Sequence, residues 1–357
     1  MDASGYAMVA SCSGNLHSPT PPRGTPMRSG ILLLPLLLFL NACSAPAIAE
    51  SSPDKAFASL AARYLDEFPA LSPVGATSLG DHRFDGELDV VTPAARERQA
   101  QFHEKYLKEL EAIPLSELSR VNQVDAALLE HELRFNVWRL RVLKDWSWNP
   151  LVYTELTGSA VYSLMAREFA PIEKRLESAA ARLEKLHLLL NDVRSTLIPG
   201  KVPAVHAETA VKQNRGFHSI LDNLVKPHLG ALKEADRARL ERAMERARTA
   251  VDAHQTWLEK EFLPRAAGEF RLGAELYDQK LAFLLQSPLK RSEIRQRAES
   301  ELKRVREEMF ALAKDVYLKE YPHTRFPAEP SPEYKQAIIR AGLEVAYRET
   351  PEAEKVV

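Results

Sequence analysis

The 357-residue chain carries 48 Lys and Arg against 49 Asp and Glu, a formal net charge of −1, with 45% hydrophobic residues and only 14 glycines. That balance leaves no basic footprint for nucleic acid and no strong electrostatic reason to sit on an anionic membrane surface. The length suits one large or two modest domains, and few glycines among long Ala, Leu, Glu, Lys and Arg runs favour helix over sheet.

Residues 1–26 are polar, rich in Ser, Pro and Gly, and show no helical or strand period. They read as a disordered upstream extension, with Met27 as the true start. Met27 and Arg28 open a short basic region, and residues 31–40 form an apolar run. That run is too short to span a bilayer comfortably and suits the core of a secretory signal, so 27–49 reads as a signal peptide. Leu40, Asn41, Ala42 and Cys43 resemble a bacterial lipobox, in which the Cys43 thiol takes a diacylglycerol. Ordinary cleavage after Ala47-Ile48-Ala49, a small-x-small site, is the competing reading, and Cys43 then leaves with the signal. Both predict export to the periplasm, with membrane contact only through a lipid anchor at Cys43. The other cysteine, Cys12, also precedes the body, which excludes a disulfide framework and a Cys-based zinc site from residues 50–357.

The body reads as helices in series. Phe57, Leu60, Ala61, Tyr64, Leu65 and Phe68 recur at helical spacing over 54–68, and Pro69 and Pro73 end the pattern. Residues 69–91, with Gly75, Gly80 and Gly86 among Asp81, Asp85 and Asp89, read as an irregular segment. Thr92 and Pro93 form an N-cap and first helical position for a helix over 93–112. A longer helix runs from about Ser119 to Lys144, carrying Val121, Val124, Ala127, Leu128, Leu133, Val137, Leu140 and Val142, and Trp146 to Pro150 break it. Pro171 starts a strong helix to about Leu197 whose Leu176, Leu183, Leu186 and Leu190 form the seam of an antiparallel helix pair. After the turn at 198–203, helix resumes over 204–225. Residues 235–262 form the most charged helix, with Leu240, Met244, Ala247, Val251 and Leu258 as its buried stripe. It stops at Leu263 and Pro264, and helix restarts after Gly273. Ser287 and Pro288 cap a long helix to about Lys319, a Pro-rich connector covers 320–332, and Pro332 opens a last helix. The expected fold is all-α, an elongated array of long antiparallel helices without a substantial sheet.

Several residues tempt a chemical reading. Asp81, His82 and Asp85 could be metal ligands, but turn chemistry and a helix cap are the simpler account. His131-Glu132 starts a zinc-protease pattern that needs a second His at i+4, where Phe135 stands. Trp146, Trp148, Tyr153 and Tyr162 could stack on a sugar or peptide, although aromatics so grouped more often anchor a helix corner. His206 and Glu208, two apart, face different ways on a helix; His218, twelve residues from His206, could share its face, and His228 follows later, but that face is read as carrying no carboxylate at metal-ligand spacing.

Four stretches carry a family resemblance: S-P-V-G-A-T-S-L-G-D-H-R-F-D at 72–85, V-D-A-A-L-L at 124–129, R-E-F-A-P at 167–171 and F-L-P-R-A-A-G-E-F-R-L-G-A-E-L-Y at 262–277. Together they resemble the bacterial family called domain of unknown function 885, over nearly all of residues 54–357. Its members resemble gluzincin-type zinc metallopeptidases, are often exported or lipidated, and are longer than this chain. The resemblance implies a zinc helix of the form H-E-x-x-P-G-H and a small sheet in a C-terminal half. The ten histidines here (His17, His82, His103, His131, His187, His206, His218, His228, His254 and His323) all fail that motif. No catalytic, cofactor-binding or metal-binding residue is therefore assigned; zinc and a peptide substrate are implied only for a full-length protein. Two functions follow as expectations. One is the N-terminal helical portion of an exported zinc metallopeptidase-like protein, inactive alone. The other is a non-catalytic periplasmic helical scaffold or binding lipoprotein.

Overall fold

The computed structural model describes residues 52–348 and 350–352. Cys12, Cys43 and the expected upstream extension and signal peptide lie outside them.

Three helices build a first core. α1 (Ser52–Glu67) continues as a tight 3₁₀ turn over Phe68–Leu71, because Pro69 cannot extend the α-helical ladder. α3 (Pro93–Glu111) and α4 (Arg120–Trp138) form an antiparallel pair beside it, tied by Arg134 to Glu111 and by Arg141 to Glu104 and Glu97. Phe57, Leu60, Tyr64, Tyr106, Leu110 and Leu133 bury together between the three. The expected cap of α3 is present, with Thr92 Oγ1 accepting from Ala95 N at 3.2 Å. Between α1 and α3 the expectation of an irregular segment is corrected. A two-turn helix, α2 (Pro73–Leu79), forms there, opened by Pro73 and closed by Gly80 at φ 93°. Its sequence is too short and too evenly apolar to show a period.

The main core lies between α5 (Leu151–Met165), α6 (Ile172–Thr196) and α9 (Glu234–Trp257), with α7 (Ala204–Asn214) and α8 (Gly216–Ile220) packed along them. Leu176, Leu183, Leu186 and Leu190 of α6 are all buried, as are Leu240, Met244, Ala247 and Val251 of α9. The leucine stripe serves two neighbours rather than one. α5 runs antiparallel to α6, with Met165 O and Ala160 O accepting from Arg175 and Arg182. α9 runs in the same direction as α6, since Arg239 meets Glu184 and His254 meets Arg194. The return through α7 and α8 makes that parallel pairing possible.

α9 ends in a π-helical turn, Leu258–Phe262, and a 3₁₀ turn, Leu263–Arg265. Gly268 then meets residues 201–203: its N–H donates to Val202 O at 2.8 Å in an isolated parallel bridge. A Cβ at 268 would stand 2.1 Å from Lys201 O, so only glycine allows this approach. Among the described residues there is no strand beyond this bridge.

α10 (Ala274–Leu285) packs on α4. α11 (Arg291–Glu320) and α12 (Pro332–Arg348) form a parallel pair around Phe310, Ala313, Ile338 and Ile339, with Lys335 on Glu307 and Arg348 on Glu320. α11 starts at Arg291 rather than at the expected cap, because Ser287 Oγ closes a turn on Leu289 N and Gln286 sits at φ 44°.

Candidate functional site

The first place to look is the turn 81–89. Here Asp81 binds Arg83 through both carboxylate oxygens, and those hydrogen bonds hold its carboxyl below the usual range. His82 Nδ1 lies 3.1 Å from Asp85 Oδ2 while its ring stacks on Phe169 with centroids 3.7 Å apart. Asp85 accepts from Thr77 Oγ1 at 2.6 Å. These side chains are spent on one another. Among the described residues no group of three or more His, Cys, Asp and Glu could hold a metal ion. The zinc implied by the family resemblance thus finds no ligand set in them.

Behind the turn stands a residue that sequence reading missed. Arg182 of α6 is 1% exposed. Its Nε donates to Glu87 O at 2.8 Å, Nη1 to Ala160 O at 2.9 Å, and Nη2 to Pro73 O at 3.1 Å and Thr77 Oγ1 at 2.6 Å. Burial pulls its pKa down to about 10, against the opposing charges of Asp85 and Asp89. Asp89 itself is raised by burial, although it accepts from Val74 N and Ser72 Oγ. One guanidinium thereby fastens α2, the 81–89 turn and α5 to α6. An arginine on a charged helix gives no sequence signal of this, because its acceptors are backbone carbonyls from distant segments.

The aromatic window is a helix corner. Trp146 and Trp148 donate to Leu140 O and Leu143 O, and Tyr153 donates to Trp146 O at 2.6 Å. The two indole bonds satisfy carbonyls of the π-helical turn Arg139–Leu143. Tyr162, in contrast, is exposed. The histidines scatter. His131 lies against Phe283, His206 beside Trp148, and His218 between Asp252 and Arg248, while Glu208 points to solvent.

Two other histidines are buried and neutral. Burial and the nearby Arg194 push His254 down to about 3, and burial with a smaller effect of Arg139 takes His103 to about 4. Unfolded histidine titrates near 6.5, so the unfolded chain binds more protons as pH falls below that value. Stability from both groups is full above about pH 6.5 and drains as pH falls towards their folded values, by about 1.4 kcal/mol per pH unit for each. Denaturant midpoints measured from pH 7 to pH 4.5 should fall accordingly, and His254→Gln should show a shallower dependence. Asp89 works in the opposite sense in both proteins, so the difference between them isolates the histidine.

A cleft of about 570 Å³ opens at the start of α10. Phe270, Leu272, Ala274, Tyr277, Leu281 and Leu284 make its apolar wall, and Arg271, Lys280 and Arg291 its rim. Neither carboxylate nor imidazole lines it. Such a surface offers contact to an apolar body.

Comparison with known proteins now adds to the geometry. A model of a family described as a bacterial protein of unknown function (DUF885) matches residues 73–350. The chain belongs to this family. No curated protein matches it. A solved structure described as "a putative lipoprotein of unknown function" from Shewanella oneidensis is 25% identical, with a TM-score of 0.69. The match covers 83% of this chain and 53% of that one, so the DUF885 chain described here spans about half the length of that relative. No helix of the described residues is long and apolar enough to cross a membrane.

Proposed function

We propose that this DUF885 chain is the helical portion of an exported, metallopeptidase-like protein, framing a substrate cleft that a zinc-bearing portion completes and hydrolysing nothing alone. One observation carries the reading: the match takes in most of this chain but 53% of the relative's. Two others support it. The sequence holds no H-E-x-x-H, and the open cleft on α10 offers apolar contact with no carboxylate or imidazole in its lining. The second reading, a periplasmic helical scaffold or binding lipoprotein, draws on the same cleft. The DNA after codon 357 discriminates between them: an in-frame H-E-x-x-P-G-H supports the enzyme portion, and a stop codon supports the scaffold.

The anchor is proposed at Cys43, in keeping with the description of the Shewanella oneidensis relative as a lipoprotein. Labelled palmitate should enter the wild-type protein, which should partition with membranes. Cys43→Ser should lose both properties. Equal partitioning of the two proteins would favour ordinary cleavage after Ala49.

A further inference from the structure

We propose that the outer face of α10 is the seat of the polypeptide that forms the other half of longer family members, and that this seat takes an apolar surface edged with acidic residues. The inference rests on the reading of this chain as one portion of a larger protein.

α10 has two opposite faces. On one, Gln279 accepts from Trp138 Nε1 at 2.7 Å and Phe283 packs between Phe135 and Trp138, at 5.6 and 5.3 Å. That face is spent on α4. At about 100° per residue, Ala274, Tyr277, Leu281 and Leu284 share the other side of the helix. All four line the cleft, and Tyr277 and Leu284 are 47% and 60% exposed. No residue of α10 is fully buried. A helix apolar on both sides ordinarily lies inside a protein, and monomers seldom leave a continuous apolar stripe in water.

The length of the relative indicates what covers the stripe. About half of the Shewanella oneidensis chain lies outside the match and packs on the matched half or leaves it bare. Charge narrows the chemistry of the contact. The cleft is rimmed by Arg271, Lys280 and Arg291, and although Glu269 and Asp278 pair with the two arginines, neither acid lines it. An incoming surface with acidic residues at its margin meets those cations, while its apolar centre covers Tyr277, Leu281 and Leu284.

Residues 50–357 form one compact unit and contain no cysteine, so a single introduced thiol reports its own surroundings. Tyr277→Cys and Leu284→Cys are placed separately in residues 50–357 and in the same polypeptide fused at its C-terminus to the unmatched part of the Shewanella oneidensis chain. Maleimide labelling is timed for each. Fusion holds the two parts at a high effective concentration, so both thiols should label at least about tenfold more slowly in it. Val121→Cys, at a 72% exposed position on α4, should label at one rate throughout. Equal rates at 277 and 284 with and without the fused part would overturn the proposal. So would protection in residues 50–357 alone with a dimer in sedimentation, which would assign the face to a second copy. The readout involves neither zinc nor hydrolysis, so its failure is distinguishable from failure of the functional reading.

Discussion

Arg182→Ala should lower the stability of the folded chain by about 3–5 kcal/mol, the loss expected when one member of a buried charged network is removed. The guanidinium serves Glu87 O, Ala160 O, Pro73 O and Thr77 Oγ1, and it opposes the charges of Asp85 and Asp89. Its removal strands acceptors contributed by three separate segments, although Thr77 to Asp85 and Lys185 to Glu87 still link some of them. Arg182→Lys should recover little of the loss, because one ammonium cannot reproduce a planar fork aimed at carbonyls on different sides. Urea denaturation of the three proteins checks this. A loss below about 1 kcal/mol for Arg182→Ala would show that the network is better solvated than its 1% exposure implies.

Phe262→Ala is the second large effect, with an expected loss of about 3–5 kcal/mol. Phe262 is fully buried, its ring centroid 4.8 Å from that of Trp257. The π-helical turn over Leu258–Phe262 explains how three large side chains reach one core. Inserting one residue into the α-helical ladder advances the register, so Leu258 and Phe262 face inwards together beside Trp257. Truncation leaves a cavity in the main core just before the chain turns towards the Gly268 bridge. Leu284→Ala on the open face of α10 serves as the contrast and should change stability by less than about 0.5 kcal/mol. Similar losses for the two variants would mean that the 262–268 junction is not a packed joint.

How far the fold was legible depends on whether a residue's partner lies on its own helix face or elsewhere. The stripes of α6 and α9 could be read because period 3.6 repeats for many turns, and every position so identified is buried. The direction of their pairing could not, since it is set by the return through α7 and α8. α2 escaped because seven residues show no period. On α4, Val121, Val124, Leu128 and Leu133 all look like core residues, yet the first three are exposed and Leu133 is buried, together with Ala126 and Trp138. Sequence gives the apolar faces of a helix but not which of two will find a partner, and the same ambiguity hides the open side of α10.

The candidate site was less legible still. His82 and Asp85 do meet, but Asp81 binds Arg83 instead, and Thr77 and Phe169 occupy the remaining polar and aromatic surfaces. Arg182 organises that region from nearly a hundred residues away, and nothing in its local sequence marks it. The cleft of α10 lies in the stretch 262–277 that carries part of the family resemblance, extended through α10 to Leu284. Its residues are ordinary apolar and cationic ones, whose meaning comes only from exposure.

The most direct test is elemental determination of zinc in purified residues 50–357, beside the protein extended through any reading frame after codon 357. The account predicts zinc in the extended protein alone. Stoichiometric zinc in residues 50–357, accompanied by peptide cleavage, would contradict it.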